Sequence, residues 1–385
     1  MSSLDDLALA KLAALESRSL RRTLVTTARN GVIVERGGRR MISFSCNDYL
    51  GLSSHPRLAE AAHDAIAAFG VGAGASRLVT GNHPLYEELE ARLARLKGAA
   101  AACVFGSGYL ANTGIVPALV GGGDLVLIDE FAHACLYAGA RLSGAAVTPF
   151  PHNDVARLRA LLVGRRSGHA KAMILTDGVF SMDGDLAPLV ELGRLAAEYD
   201  SWLMSDDAHG IGVVGNGRGS TFAGEVPADV PLQMGTLSKA IGCYGGYLCA
   251  SAPVIELIRN RARTFIYSTG LPPPVVAAAI AALELIESDR AYAALPLRKA
   301  RAFTARAGLP EAASPIVPVL IGAPEDALAA ARMLESEGFL AVAIRPPTVP
   351  EGAARLRLAF TALHDDADVA RLADLVRTRV LGRDS

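Results

Sequence analysis

The sequence predicts an α/β protein: a large unit on a mostly parallel seven-stranded sheet, followed by a smaller α+β unit at the C-terminal end. Three observations carry this expectation. From about residue 85 to residue 250, short apolar runs alternate with helical patterns, and runs that are apolar throughout suit strands covered on both faces. Pro272-Pro273-Pro274 then interrupts the chain, and after one Ala-rich helix the pattern turns to mixed strands and helices. Finally, 385 residues that are 51% hydrophobic are enough for a core of their own, without disulfide staples.

In chain order, residues 3–22 carry an amphipathic helix pattern on Leu4, Leu7, Leu12 and Leu15, ending in Arg21-Arg22. Residues 31–45 form a short hairpin that turns at Gly37-Gly38. The candidate strands of the large sheet are Ala101–Phe105, Leu125–Asp129, Ala146–Phe150, Ala172–Asp177, Trp202–Asp206, Leu232–Gly235 and Tyr247–Ala250. A long helix runs from Val275 to about Ser288. The remainder reads strand, helix, strand, strand, helix: Ile316–Ile321, Glu325–Glu337, Ala341–Ile344, Arg355–Phe360 and Asp366–Val380. The expected divisions are an N-terminal helix and hairpin segment over 1–50, a large domain over 51–285 and a small domain over 286–385.

Composition narrows the function classes. With 38 basic and 39 acidic residues the net charge is −1, which argues against nucleic acid or a membrane surface as partner. The five cysteines include no C-x-x-C pair, and no histidines stand at zinc-ligand spacing, so no metal site is expected and the thiols suit a reducing cytoplasm. The N-terminus lacks a basic stretch followed by an apolar run, so no signal peptide is expected. The uncharged stretch Gly98–Gly123 holds many glycines, a proline, Asn112 and Thr113, and suits buried loop and helix better than a membrane span.

The candidate chemistry lies at strand ends. Only five of the 38 basic residues are lysines, and Lys239 stands apart among small and apolar neighbours in Met234-Gly-Thr-Leu-Ser-Lys239-Ala-Ile-Gly. Burial disfavours its charged form and makes the amine nucleophilic, which suits Schiff-base chemistry; a surface loop lysine is the plain alternative. The other four, including Lys97 and Lys299, read as ordinary. An apolar strand delivers Asp206, followed by Asp207 and His209, where α/β sheets bind ligands. Asp206 there can pair with a pyridinium N–H, or simply close a turn. The Gly-rich turn Phe105-Gly-Ser-Gly108-Tyr109 opens a helix and offers either an anion site or a mere connection. His133 suits stacking, proton transfer or capping, and Ser181 suits a phenolate contact or a turn.

Taken together, these segments resemble the α-oxoamine synthase family of pyridoxal-phosphate enzymes, fold type I, over nearly the whole chain. The landmarks are Ser45-Cys-Asn-Asp-Tyr-Leu-Gly-Leu52, Gly72-Ala-Gly-Ala-Ser-Arg77, Asp177-Gly-Val-Phe-Ser-Met-Asp-Gly-Asp185, Asp206-Asp-Ala-His-Gly210 and Gly235-Thr-Leu-Ser-Lys239. His152-Asn-Asp-Val155 and Ile344-Arg-Pro-Pro-Thr-Val-Pro350, followed by Arg355-Leu-Arg357, look most like the biotin-pathway branch. The resemblance implies pyridoxal 5'-phosphate on Lys239, Asp206 at the pyridine nitrogen, His133 stacked on the ring, and His209 and Ser181 near the phenolic oxygen. It places Gly108, Tyr109 and Thr236 at the phosphate, with Ser268 and Thr269 reaching a neighbouring subunit's phosphate in a homodimer. Arg21, Asn47 and Thr348 are implied substrate contacts, and Arg357 the grip on the amino-acid carboxylate. The implied reaction joins L-alanine to a pimeloyl thioester with loss of CO2. The rivals are a glycine C-acetyltransferase or a serine palmitoyltransferase-like enzyme and, outside the class, a non-catalytic Rossmann-like nucleotide binder. Leu237-Ser238, Cys46 and the run Cys243–Cys249 depart from the family's usual residues around the lysine.

Overall fold

The computed structural model describes residues 2–17, 20–21 and 23–383. The first helix, α1 (Ser3–Ser17), ends before the expected boundary, and Leu20 and Arg21 are not helical. Arg18, Ser19 and Arg22, which the expected helix included, lie outside the described residues. No side chain of α1 is buried, and Leu4, Leu7, Leu12 and Leu15 are exposed. Among the described residues its apolar stripe thus joins no buried core, and a helix this short is marginal without packing.

β1 (Ala28–Asn30), β2 (Ile33–Arg36) and β3 (Arg39–Ser43) form an antiparallel meander. The β2–β3 turn falls at Gly37 and Gly38, whose φ of 53° and 75° is the pair of left-handed residues a tight hairpin turn requires. Two helices, α2 (Pro56–Phe69) and α3 (Leu85–Lys97), lead into the large sheet.

Strands and helices then alternate: β4 (Ala101–Phe105), α4 (Gly108–Leu119), β5 (Leu125–Asp129), α5 (Ala134–Ser143), β6 (Ala146–Phe150), α6 (Val155–Arg165), β7 (Ala172–Asp177), α7 (Leu189–Glu198) and β8 (Trp202–Asp206). β9 (Leu232–Thr236) and β10 (Gly246–Ala250) complete the sheet, whose order is β4-β10-β9-β8-β7-β5-β6. All seven expected strands are present, within one residue at each end. β10 runs antiparallel to both of its neighbours, and the remaining pairings are parallel. Successive side chains serve opposite faces: Met173 and Leu175 pack with Ile115 and Leu136, while Ile174 packs with Leu158 and Leu192. Asp129, Asp177, Asp206 and Thr236 each end a parallel strand, so four polar side chains stand along the carboxyl edge.

α8 (Ala252–Arg261) and α9 (Arg263–Ile266) follow, and α10 (Pro273–Ser288) starts with prolines in the first turn, where a missing N–H costs nothing. The next helix, α11 (Arg290–Ala307), is a correction to the sequence reading, which had no element there. Its internal Pro296 and its arginines obscure an apolar stripe, Ala293, Ala300, Phe303 and Ala307, that is buried in the structure. The chain closes with β11 (Ile316–Gly322), α12 (Pro324–Ser336), β12 (Phe339–Leu340), β13 (Val342–Ile344), β14 (Ala354–Ala359) and α13 (Asp366–Leu375). β11, β14 and β13 make an antiparallel sheet, while β12 pairs in parallel with β3.

The N-terminal hairpin thus joins the C-terminal elements. Phe44 packs edge-on against Phe339 and Phe360 and stacks on His364 with ring centroids 3.8 Å apart. Among the described residues no helix is long and apolar enough to cross a membrane.

Two lysines read as ordinary from sequence are buried. Lys97, at the end of α3, donates to Asp207 at 2.6 Å and to the Arg218 carbonyl at 2.7 Å, with no exposed surface. Lys299 donates to the His364 carbonyl and faces Asp366 at 3.6 Å. A charged side chain is tolerated at such depth only when it is paired.

Candidate active site

Leu237, Ala240 and Ile241 are fully buried and pin the turn that follows β9, leaving Lys239 to point into a cavity of about 180 Å³. The turn is closed by hydrogen bonds from the Leu237 amide and the Thr236 hydroxyl to the Gly245 carbonyl, at 2.9 and 2.7 Å. Gly242 has φ +73°, and a Cβ there would lie 2.5 Å from the Ser53 amide nitrogen, so only glycine fits. Among the described residues none accepts a hydrogen bond from the Lys239 amine. Burial lowers its pKa, opposed by the carboxylates of Asp206 and Asp177. The result is an amine inclined to the neutral, nucleophilic form.

Asp206 ends β8 and is buried. One oxygen accepts from the Ala208 amide at 3.0 Å, the other from the Asn112 side chain at 2.7 Å. Asp177, its register partner on β7, lines the same cavity. Burial, reinforced by the charge on Asp206, raises the Asp177 pKa well above the carboxylate range. Asp177 accepts the His133 backbone amide at 3.1 Å and so places that residue.

His133 caps α5 and lines the cavity. Its Nδ1 accepts from the Cys135 amide at 3.3 Å and lies 2.8 Å from the Cys135 sulfur, which assigns the ring proton to Nε2. Desolvation lowers the pKa of His133, keeping the imidazole neutral. His209 is buried deeper, and desolvation, then the charges of Lys239 and Arg357, hold its pKa well below the ordinary value. Its Nδ1 is 2.7 Å from the Tyr49 hydroxyl, which burial holds protonated with a pKa of about 12. Tyr49 is therefore the donor.

At the opposite end of the cavity the first amides of α4, Gly108 and Tyr109, have no partners within the helix. Ser107 caps that helix by accepting from the Leu110 amide at 3.2 Å. Gly246 is required beside it, since a Cβ there would meet the Ser107 carbonyl at 2.5 Å. Thr236 faces the same end and pairs with the Ser238 hydroxyl at 2.8 Å. The donor set is an unpartnered amine, a fixed carboxylate and, opposite, a helix N-terminus. This fits an aldehyde-bearing pyridine ring with a phosphate tail.

The structure brings Lys239, Asp206, His133, His209, Gly108, Tyr109 and Thr236 to this cavity. The remaining candidates are distributed around it. Arg357, on β14, donates through Nη2 to Asn47 at 3.1 Å and through Nε to the Ser181 carbonyl. Ser181 lines an adjoining recess with Phe131, Met182 and Thr348. Arg21 and Thr348 line one wide groove with Arg345. Ser268 and Thr269 lie in a separate small recess beside Arg77. Sequence reasoning did not single out Asp177, Asn112, Cys135 or Tyr49, although Asp177, Asn112 and Tyr49 stand inside segments it noted and Cys135 lies two residues past His133. Among the described residues no group of three His, Cys, Asp or Glu side chains converges as metal ligands would.

Residues 39–376 match the family described as aminotransferase class I and II. The chain is 61% identical over 377 residues to the 8-amino-7-oxononanoate synthase of Beijerinckia indica, covering 98% of each. It is 67% identical over 342 residues to the enzyme of that name from Methylocella silvestris, covering 89% of this chain and 97% of the other. Among solved structures it superposes on a serine palmitoyltransferase variant from S. paucimobilis with bound PLP and myriocin, at a TM-score of 0.89 and 28% identity, covering 99% of this chain and 100% of that one. Fold and site define a pyridoxal-phosphate-dependent transferase of fold type I, and pyridoxal 5'-phosphate is its cofactor. The chain belongs to the aminotransferase class I and II family and, within it, to the α-oxoamine synthases.

Proposed function

We propose that this enzyme joins L-alanine to a pimeloyl thioester, releasing CO2 and the free thiol carrier and forming 8-amino-7-oxononanoate for biotin synthesis. The observation that carries the reading is the Lys239 amine, unpartnered and with a lowered pKa, between the Asp206 carboxylate and the N-terminus of α4.

Lys239 holds the cofactor through its amine, Gly108, Tyr109 and Thr236 bind the phosphate, and Asp206 holds a proton at the pyridine nitrogen. When bound, the cofactor supplies a conjugated ring that spreads the electron pair left on the substrate Cα. Arg357 binds the alanine carboxylate with its planar guanidinium, which Asn47 and the Ser181 carbonyl orient. The Lys239 amine would take the Cα proton and later return one to the same carbon. His133 would cover the bound ring and present its Nε2 proton to the thioester oxygen. His209, kept neutral and oriented by Tyr49, meets the phenolic oxygen.

The new bond joins alanine Cα to the thioester carbonyl carbon as the C–S bond breaks, and the alanine carboxylate then leaves as CO2. The groove holding Arg21 and Thr348 takes the acyl chain, with Arg21 toward its distal carboxyl group. Ser268 and Thr269 line a recess separate from the cavity of the chain's own Lys239 and serve the phosphate of a second copy in a homodimer working in the cytoplasm.

The test is chemical. Borohydride reduction of the holoenzyme followed by peptide mapping should label Lys239, and Lys239→Ala should lose the cofactor's visible band and nearly all alanine-dependent thiol release. A label on another lysine would overturn the assignment.

A further inference from the structure

The turn between Phe180 and Asp185 links the large sheet to Arg357. It is closed by a bridge between Val179 and Leu186 and by the Gly184 amide donating to the Phe180 carbonyl at 2.8 Å. It also presses against β11: a Cβ on Gly184, at φ +73°, would meet the Ile316 carbonyl at 2.1 Å. From its tip the turn extends two acceptors to β14, the Ser181 carbonyl to Arg357 and the Asp183 carboxylate to Arg355. Both arginines are nearly fully buried.

The other side of the turn is held by a residue with no part in the mechanism above. His152 lies between two carboxylates, with Nδ1 3.1 Å from Asp129 and Nε2 2.8 Å from Asp185. Asn153 adds a donor to the same Asp185 oxygen at 2.9 Å and another to the Leu186 carbonyl at 3.3 Å. Its own backbone amide donates to Asp129 at 2.9 Å. The imidazole is stacked on Phe131, with centroids 4.7 Å apart, and meets the edge of Phe180 at 4.3 Å. Burial opposes a charged ring here. The hydrogen bonds to Asp129 and Asp185 outweigh it and push the pKa up to about 10, so the imidazolium donates from both nitrogens.

We propose that His152 is a positioning residue for Arg357: with Asn153 it ties the Phe180–Asp185 turn to the end of β5, and thereby fixes the carbonyl and carboxylate that aim the two arginines of β14. The proposal rests on the reading of Arg357 as the grip on the amino-acid carboxylate. Two soft side chains on a strand are thus braced from the rigid sheet through a chain of charge-assisted hydrogen bonds. Loss of the brace leaves the arginine present but imperfectly aimed, and this weakens capture of the amino acid more than it slows the chemistry that follows.

The experiment is an L-alanine titration of the holoenzyme's visible absorbance, with steady-state kinetics in parallel, on His152→Ala, Asp185→Asn, Arg357→Ala and the double variant His152→Ala/Arg357→Ala. Asp185→Asn is nearly isosteric and keeps the comparison usable should His152→Ala fold poorly. The expected result is about a tenfold loss of alanine affinity in His152→Ala and a smaller loss in Asp185→Asn. kcat and the thioester KM should change little, and the double variant should bind alanine no worse than Arg357→Ala alone. Unchanged alanine affinity, parallel losses in kcat and thioester KM, or additive losses in the double variant would each overturn the proposal. Unchanged alanine affinity in Arg357→Ala would instead overturn the reading of Arg357, and the proposal with it.

Discussion

At the scale of single residues the site separates groups by protonation. Lys239 and His209 are pushed toward their neutral forms by burial, while Asp177 is pushed toward its acid form beside Asp206. Asp206 alone has two firm donors, Asn112 and the Ala208 amide, and is the carboxylate placed to hold charge. Asp206→Asn is nearly isosteric but removes that charge, so exchange of the alanine Cα proton should slow by about 10²–10⁴ while folding changes little. Following loss of that proton by NMR in deuterated buffer checks this, and an unchanged exchange rate would remove Asp206 from the mechanism. Lys239 and Asp206 were legible in sequence as residues of this cavity because Lys239 stands apart among small and apolar neighbours and Asp206 closes an apolar strand. Asp177 was not, because a strand-end acid looks the same whether it is solvated or pressed against a second acid. Lys97 was misread for a related reason: it closes a helix rich in charge, and only the fold shows that its amine reaches Asp207.

At the scale of elements, that buried pair supports the loop after β8. Asp207 also accepts the Ser220 amide at 3.0 Å, and glycines at 210 and 219 make room for it: a Cβ on either would come within 2.0 Å of its carboxylate. Lys97→Met leaves Asp207 buried without its cation and should cost about 3–5 kcal/mol. Lys97→Met/Asp207→Leu should lose less, since no unpaired charge remains. Urea midpoints of the two variants check the order, and a Lys97→Met enzyme of wild-type stability would show that water reaches the pair. The seven large-sheet strands were legible because most of them are buried on both faces and are therefore apolar nearly throughout, whether they pair in parallel or, like β10, antiparallel. α11 was not, because its stripe is broken by Pro296, and α1 was overextended because none of its described side chains is buried to hold a further turn.

At the scale of the whole molecule, the N-terminal hairpin and the C-terminal elements share one core through Phe44 and His364, a long-range association that no local pattern announces. It also contributes to the pH dependence of stability. His364 is buried, and its pKa falls from 6.5 to about 4, so its contribution is present above pH 6.5 and is lost as the pH falls through about 4. His152 is the opposite case: raised from 6.5 to about 10, it contributes fully below pH 6.5 and loses that contribution as the pH rises through about 10. The melting temperature should therefore fall on both sides of a near-neutral maximum. His152→Gln should flatten the alkaline limb only, and an unaltered alkaline limb would show that the imidazolium is not held between its two carboxylates. The proposed acyl groove is also a feature of the whole chain, since it takes Arg21 from the N-terminal segment and Thr348 from the C-terminal one. Arg21 pairs with Glu16 in this chain, and on the proposed reading it exchanges that partner for the distal carboxylate of a dicarboxylic acyl chain, which a plain alkyl chain does not offer. The most direct measurement is kcat/KM for pimeloyl, acetyl and palmitoyl thioesters, each with L-alanine, glycine and L-serine. The expected result is a preference for pimeloyl with alanine, narrowed in Arg21→Ala by a higher KM for the pimeloyl thioester alone. A preference for acetyl with glycine, or for palmitoyl with serine, would contradict it.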